Sequence, residues 1–221
     1  MVLRNRLAAL LLRVIIFVLY LVSFGPYFSS FDGAWVALCN FNVEMMLAMI
    51  ILTGFEIVFN FIDLIRHGIR GVAAGPYMPI ALPLTSFAVL SGIFYFTSQL
   101  PVGAAPSGTM AVMFNVMLIV GPLFDFFLID EKGTVPFFSV LMWQIYPILF
   151  HIFGYLRTVI WPSTAIYNDY MYSLPFLNYF GANIVGYSVM FFALTLGLGS
   201  LLVLIGNLLS GKYRTYNFRR D

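Results

Sequence analysis

Residues 7–24 read LAALLLRVIIFVLYLVSF, an apolar run whose single charge is Arg13. Arg4 and Arg6 precede it and Gly25-Pro26-Tyr27 follows, without a small-x-small cleavage pattern. A helix needs about 20 mainly apolar residues to cross the hydrocarbon core of a bilayer. The stretch is therefore predicted to be a retained first membrane span and not a cleaved signal.

The same texture recurs along the chain. Apolar runs cover 34–62, 78–100, 109–129, 137–160 and 180–209, separated by Gly25-Pro26, Gly75-Pro76, Pro101 to Pro106, Asp130-Glu131-Lys132-Gly133 and Trp161-Pro162. Such Gly-Pro and charged punctuation marks turns. Of the 221 residues 62% are hydrophobic and 9% charged, with mean hydropathy +0.96. Soluble domains carry about 25% charged residues. The predicted fold class is all-α: an integral membrane bundle of six transmembrane helices forming one domain over residues 1–221.

Basic residues set the expected orientation. Arg4 and Arg6, Arg66 and Arg70, Lys132, and Lys212, Arg214, Arg219 and Arg220 fall on alternate connections, and the other loops carry none. The excess of Lys and Arg on one side predicts both termini in the cytoplasm. The expected location is a plasma membrane, bacterial in character. Trp35 and Trp161, with Tyr167, Tyr170, Tyr172 and Tyr179 around the fifth loop, are expected at headgroup depth. Because the basic residues mark membrane edges, nucleic acid is not an expected partner. Membrane lipids are, with other membrane subunits or a second copy of the chain left open.

Ionisable residues inside spans are costly and default to functional candidates. Glu44, Glu56, Asp125, His151 and Arg157 fall within the runs, with Asn42, Asn60, Asn115 and Gln144 as uncharged companions. Arg13, close to the cytoplasmic edge, is expected to snorkel. With a rise of about 1.5 Å per residue, Glu44 is placed roughly 15 Å, Asn115 about 10 Å and His151 about 13 Å below the outer edge. Cys39, Asn40 and Asn42 fall at similar heights, while Glu56, Asn60 and Asp125 lie nearer the cytoplasm. Asn42, Glu44, Asn115 and Arg157 are thus candidate pocket residues in the outer half. Glu44 pairing with Arg157 or His151, amides bonding across helices, and an ion path are the competing readings. Ala193 with Gly197, and Gly206 with Ser210, are spaced for close helix contact.

Gly121-Pro122-Leu123-Phe124-Asp125-Phe126-Phe127-Leu128-Ile129-Asp130-Glu131-Lys132-Gly133, Trp143-Gln144-Ile145-Tyr146-Pro147 and Tyr170-Met171-Tyr172-Ser173-Leu174-Pro175-Phe176-Leu177 are similar to motifs of a bacterial six-span family. That family is related to the androgen-induced intramembrane hydrolases. The resemblance implies the span order and fatty-acyl ester cleavage by a nucleophile with an adjacent histidine base. On this alignment Asn115 replaces the family histidine, and asparagine cannot relay a proton near neutral pH. Cys39 is then the candidate nucleophile, and His151 the candidate base by rearrangement. The alternatives are a non-catalytic lipid-binding or complex-forming subunit, and a small transporter with Glu44 as proton site.

The single cysteine, Cys39, leaves no intrachain disulfide or cysteine metal cluster. Phosphate loops, Gly-x-Ser-x-Gly elbows and His-Glu-x-x-His motifs are absent, so no cofactor and no metal are expected.

Overall fold

The computed structural model describes residues 3–31, 33–73, 78–101, 106–130, 135–160 and 184–217. Within them the helices are α1 (Arg6–Ser29), α2 (Ala34–Leu38), α3 (Phe41–His67), α4 (Met78–Phe94), α5 (Thr109–Phe124), α6 (Phe138–Trp143), α7 (Ile145–Ile160) and α8 (Ile184–Asn217). Wider π-turns extend α4 over Tyr95–Gln99 and α5 over Asp125–Ile129. An isolated bridge, Asn5 to Arg70, is the extended pairing seen among the described residues. Six helices are long and apolar enough to cross a membrane.

The faces of α1 show what solvent the fold is built for. Its buried stripe is Ala9, Arg13, Ile16, Tyr20, Ser23 and Tyr27, while Leu11, Ile15, Val18 and Val22 are exposed. Both stripes follow the three-and-four spacing of one helix face. The interior stripe is the more polar one, the reverse of a water-soluble helix. α3 repeats the pattern, exposing Ile51, Phe55, Val58, Phe59 and Ile62 while burying Glu56 and Asn60.

Four boundaries differ from the sequence reading. The second run does not form one helix: it breaks at Cys39-Asn40, where the Asn40 side chain accepts from the backbone N–H groups of Asn42 and Val43. An asparagine at this position caps a new helix. α1 runs on through Gly25-Pro26 to Ser29. The fifth run divides at Gln144, and Pro147 then occupies the first turn of α7, where its missing N–H costs little. α8 continues past the apolar run to Asn217.

α1 packs on α3 and α5, and α4 packs on α3, α5 and α8. A Cβ on Gly92 would come within 2.7 Å of the Asn115 carbonyl, so α4 and α5 touch through that glycine. Gly121 likewise leaves room for the Tyr20 hydroxyl. The small-residue contacts expected on α8 shift: Gly197 has open space around it, whereas Gly199 meets Val140 and Gly206 faces Phe126. The side chain of Ser210 lies outside the described residues.

The bundle has two unlike ends. At the Arg6 end, the Arg6 guanidinium pairs with Asp63 at 2.6 Å and donates to the carbonyls of Val72, His67, Gly68 and Arg70. Leu3 there donates its N–H to the Leu128 carbonyl at 2.8 Å. The opposite, Phe41 end is aromatic. Tyr27 stacks on Phe114 with centroids 4.0 Å apart, and Phe41 meets Phe150 and Phe191 edge-on.

Candidate functional site

Arg13 does not snorkel. Its side chain is 0% exposed, because it lies on the interior stripe of α1 opposite acids from two other elements. Nε is 3.0 Å from Asp125 Oδ1 and 3.5 Å from Glu56 Oε2, and Nη2 is 2.7 Å from Asp130 Oδ1. Burying a guanidinium is tolerable only when carboxylates and hydrogen bonds replace its water. Oxygens of Glu56, Asp125 and Asp130 all lie within 4.8 Å of one another.

The π-turn makes this convergence possible. In an α-helix, positions five apart differ by about 140° around the axis. Asp125 and Asp130 would then point to different faces. The wider turn, closed by Asp130 N–H donating to the Asp125 carbonyl at 2.9 Å, brings both to the same arginine. Such insertions are frequent at functional sites. Pro122 withdraws a backbone N–H one turn earlier.

Two fully buried polar side chains border the centre. Tyr20 Oη and both amide atoms of Asn60 have no hydrogen-bond partner among the described residues. Asn60 lies one turn beyond Glu56 on α3. Tyr20 is two turns beyond Arg13 on α1, with its hydroxyl against Gly121, one turn before Asp125. Helical side chains tilt toward their own N-terminus. Tyr20 thus reaches back toward Arg13, and Asn60 toward Glu56.

The second polar group is neutral. Asn42 Nδ2 donates to Asn115 Oδ1 at 2.6 Å and to the Ser91 carbonyl at 3.3 Å. Asn115 Nδ2 donates to the Ala111 carbonyl at 2.9 Å, and Gln99 Nε2 to Asn42 Oδ1 at 3.4 Å. The π-turn Tyr95–Gln99 carries Gln99 to this position. α3, α4 and α5 are therefore bridged by amides whose polar atoms face one another and the backbone.

The remaining candidates make other contacts. Glu44 stands in the first turn of α3, about 5 Å along the helix from Phe41, not 15 Å into a span. The break at Asn40 moves it, and an acid there complements the helix N-terminus. Its Oε2 accepts from the Tyr146 hydroxyl at 2.6 Å, a partner the sequence reading did not name. His151 Nδ1 lies 2.9 Å from the Pro147 carbonyl, and its ring stacks on Phe192. That contact places the proton on Nδ1 and leaves Nε2 as the basic nitrogen. Cys39 is buried in the turn between α2 and α3. Gln144 accepts from the Thr195 hydroxyl at 2.7 Å. Arg157 lies on α7, but its side chain is outside the described residues, as are that of Trp35 and the whole of Trp161, Tyr167, Tyr170, Tyr172 and Tyr179.

The sequence reading missed the centre on Arg13. Glu56, Asn60 and Asp125 were expected nearer the cytoplasm, but Asp130 as loop punctuation and Arg13 as interfacial. One usable signal existed: a lone arginine in a span at the same depth as two intramembrane acids. No family model matches the sequence, and no curated protein or solved structure matches it.

Proposed function

We propose that this chain is a small proton-coupled membrane carrier, with Arg13, Glu56, Asp125 and Asp130 as its proton-exchanging centre. The carrying observation is the gathering of three carboxylates around one guanidinium in the bundle interior. Glu56 and Asp125 share that guanidinium, and each can hydrogen-bond the other only if a proton lies between them. Like charges so close in a poorly solvated interior repel one another. Ionisable residues inside bundles commonly form proton relays. In this reading both termini are cytoplasmic, as the Lys and Arg distribution suggests, and the centre is reached from the cytoplasm of a plasma membrane. The transporter expectation thereby moves from Glu44 to the Arg13 centre.

The test is pH-difference infrared spectroscopy of the full chain in lipid nanodiscs. A protonated-carboxyl C=O band should titrate, and Glu56→Gln should remove it. No buried-carboxyl band at any pH at which the fold persists would sink the proposal. A reporter fused at the C-terminus tests the orientation separately.

The acyl-ester hydrolase reading has less behind it. Asn42 and Asn115, which would have to supply the oxyanion donors, spend amide hydrogens elsewhere: Asn42 donates to Asn115 Oδ1 and the Ser91 carbonyl, and Asn115 to the Ala111 carbonyl. Ester-probe turnover that disappears in both Cys39→Ala and His151→Ala would restore it. The amide bridge favours a scaffold that is non-catalytic at this end, where lipid or a partner subunit could bind.

A further inference from the structure

The Arg13 centre depends on where the π-turn of α5 leaves Asp130, and that turn is held from outside its own helix. The last carbonyls of a helix lack an N–H of their own helix to accept from. Leu128 supplies such a carbonyl within the π-turn, and the Leu3 N–H donates to it at 2.8 Å. Asp130 then takes an extended conformation, and its carboxylate lies 2.7 Å from Arg13 Nη2. Between them Ile129 is fully buried with Ala9 and Ala73, and Leu3 and Leu12 pack on the same cluster. A π-turn is rare beside the α-helix, so contacts outside the helix have to select it.

Leu3 is itself fixed by the residues that follow it. The Gly71 N–H donates to the Arg4 carbonyl at 3.1 Å, and the Arg6 N–H donates to the Ile69 carbonyl at 2.8 Å. Asn5 pairs with Arg70, and its side chain caps α1 by accepting from the Ala8 N–H at 3.0 Å. Gly71 has a φ of 123°, a left-handed value that favours glycine. A Cβ there would lie 2.6 Å from the Arg6 guanidinium, so loop and segment fit closely. The Asn5 cap sets where α1 begins, and with it the phase of Arg13 about two turns on.

We propose that the segment from Leu3 to Arg6 is a strap that positions the Arg13 centre, tying the exposed loop at 69–71 to the Leu128 carbonyl and so aiming Asp130 at Arg13.

Leu3 acts through the π-turn and is a positioning residue. Without its N–H, the Leu128 carbonyl is open to an ordinary helical partner. A turn that relaxes to α-helix puts Asp125 and Asp130 about 140° apart around the axis, and Asp130 leaves the guanidinium. The strap stands without the proton-exchange reading, because it concerns the aim of a carboxylate and not its protonation.

The experiment is a double-mutant cycle on the full chain in detergent, comparing thermal unfolding of Leu3→Pro, Asp130→Asn and the pair. Leu3→Pro removes the N–H and keeps an apolar side chain. Its loss of Tm should be several-fold smaller in the Asp130→Asn background than in the parent, since coupled positions are not additive. Infrared spectra with isotope-labelled aspartate side chains supply a readout that mere anchoring of the segment does not move. The carboxylate component lost in Asp130→Asn should shift in Leu3→Pro. If Leu3→Pro does not fold, Leu3→Ala keeps the N–H, thins the packing over Ile129 and gives the same cycle at smaller amplitude. Additive losses, or an unmoved Asp130 component, overturn the strap and leave proton exchange standing if a protonated-carboxyl band still titrates. Coupled losses with a shifted component but no titrating band keep the strap and remove proton exchange.

Discussion

The Arg13 centre and the Asn42–Asn115 bridge solve the same problem, polarity inside an apolar bundle, in opposite ways. The bridge joins neutral amides, each donating to a carbonyl oxygen. It locks α3, α4 and α5 together and can be replaced by matched apolar packing. The centre gathers charged groups, carboxylates outnumbering the guanidinium, and on the adjoining turns Tyr20 and Asn60 have no side-chain hydrogen-bond partner among the described residues. A neutral hydrogen-bonded network holds a fold, while one of unbalanced charge responds to protons.

The contrast is broken most sharply at Arg13. Arg13→Leu leaves the acids without their guanidinium and should destabilise the bundle by about 3–5 kcal/mol, read as lost thermal stability in detergent. Stability equal to the parent would show that the centre holds no ionised carboxylate. Gly121→Ala should come next, at about 1–3 kcal/mol, because the added methyl overlaps the Tyr20 hydroxyl. Tyr20→Phe in the same chain should recover part of that loss, because ring carbons Cζ and Cε1 still lie 2.7 and 2.9 Å from the added methyl; no recovery would place the clash on the ring and not on the hydroxyl.

At the bridge, Asn42→Leu alone should cost about 1 kcal/mol by orphaning Asn115, while Asn42→Leu with Asn115→Leu should cost less than the sum. Additive losses in a double-mutant cycle would deny the 2.6 Å coupling. Smallest of all is Asp63→Asn at the Arg6 end. There Asp63 is partly exposed and Arg6 keeps several backbone acceptors, so the loss should fade as salt is raised.

Much of the architecture was legible in the chain. The fourth run, Thr109–Ile129, forms a helix and π-turn over the same bounds, because its apolar residues are bracketed by Gly108 and Asp130. The break at Asn40 was hidden, since hydropathy cannot distinguish an asparagine inside a helix from one that caps it. That single cap relocates Glu44 from mid-span to a first turn. The site was less legible still. Asn42 and Asn115 were singled out separately, yet their pairing depends on the rotation of α3 against α5. Arg13 looked like a snorkelling residue because a single span does not reveal which side carries acids.

The sequence by itself determined six long apolar helical stretches, because hydropathy and helical periodicity are local properties of the chain. Only the tertiary structure decided that Arg13, Glu56, Asp125 and Asp130 meet, since this needs α1 packed against both α3 and α5 at one rotation and a π-turn that realigns two acids. Contacts between residues more than a hundred positions apart are set by packing, and no local pattern encodes them.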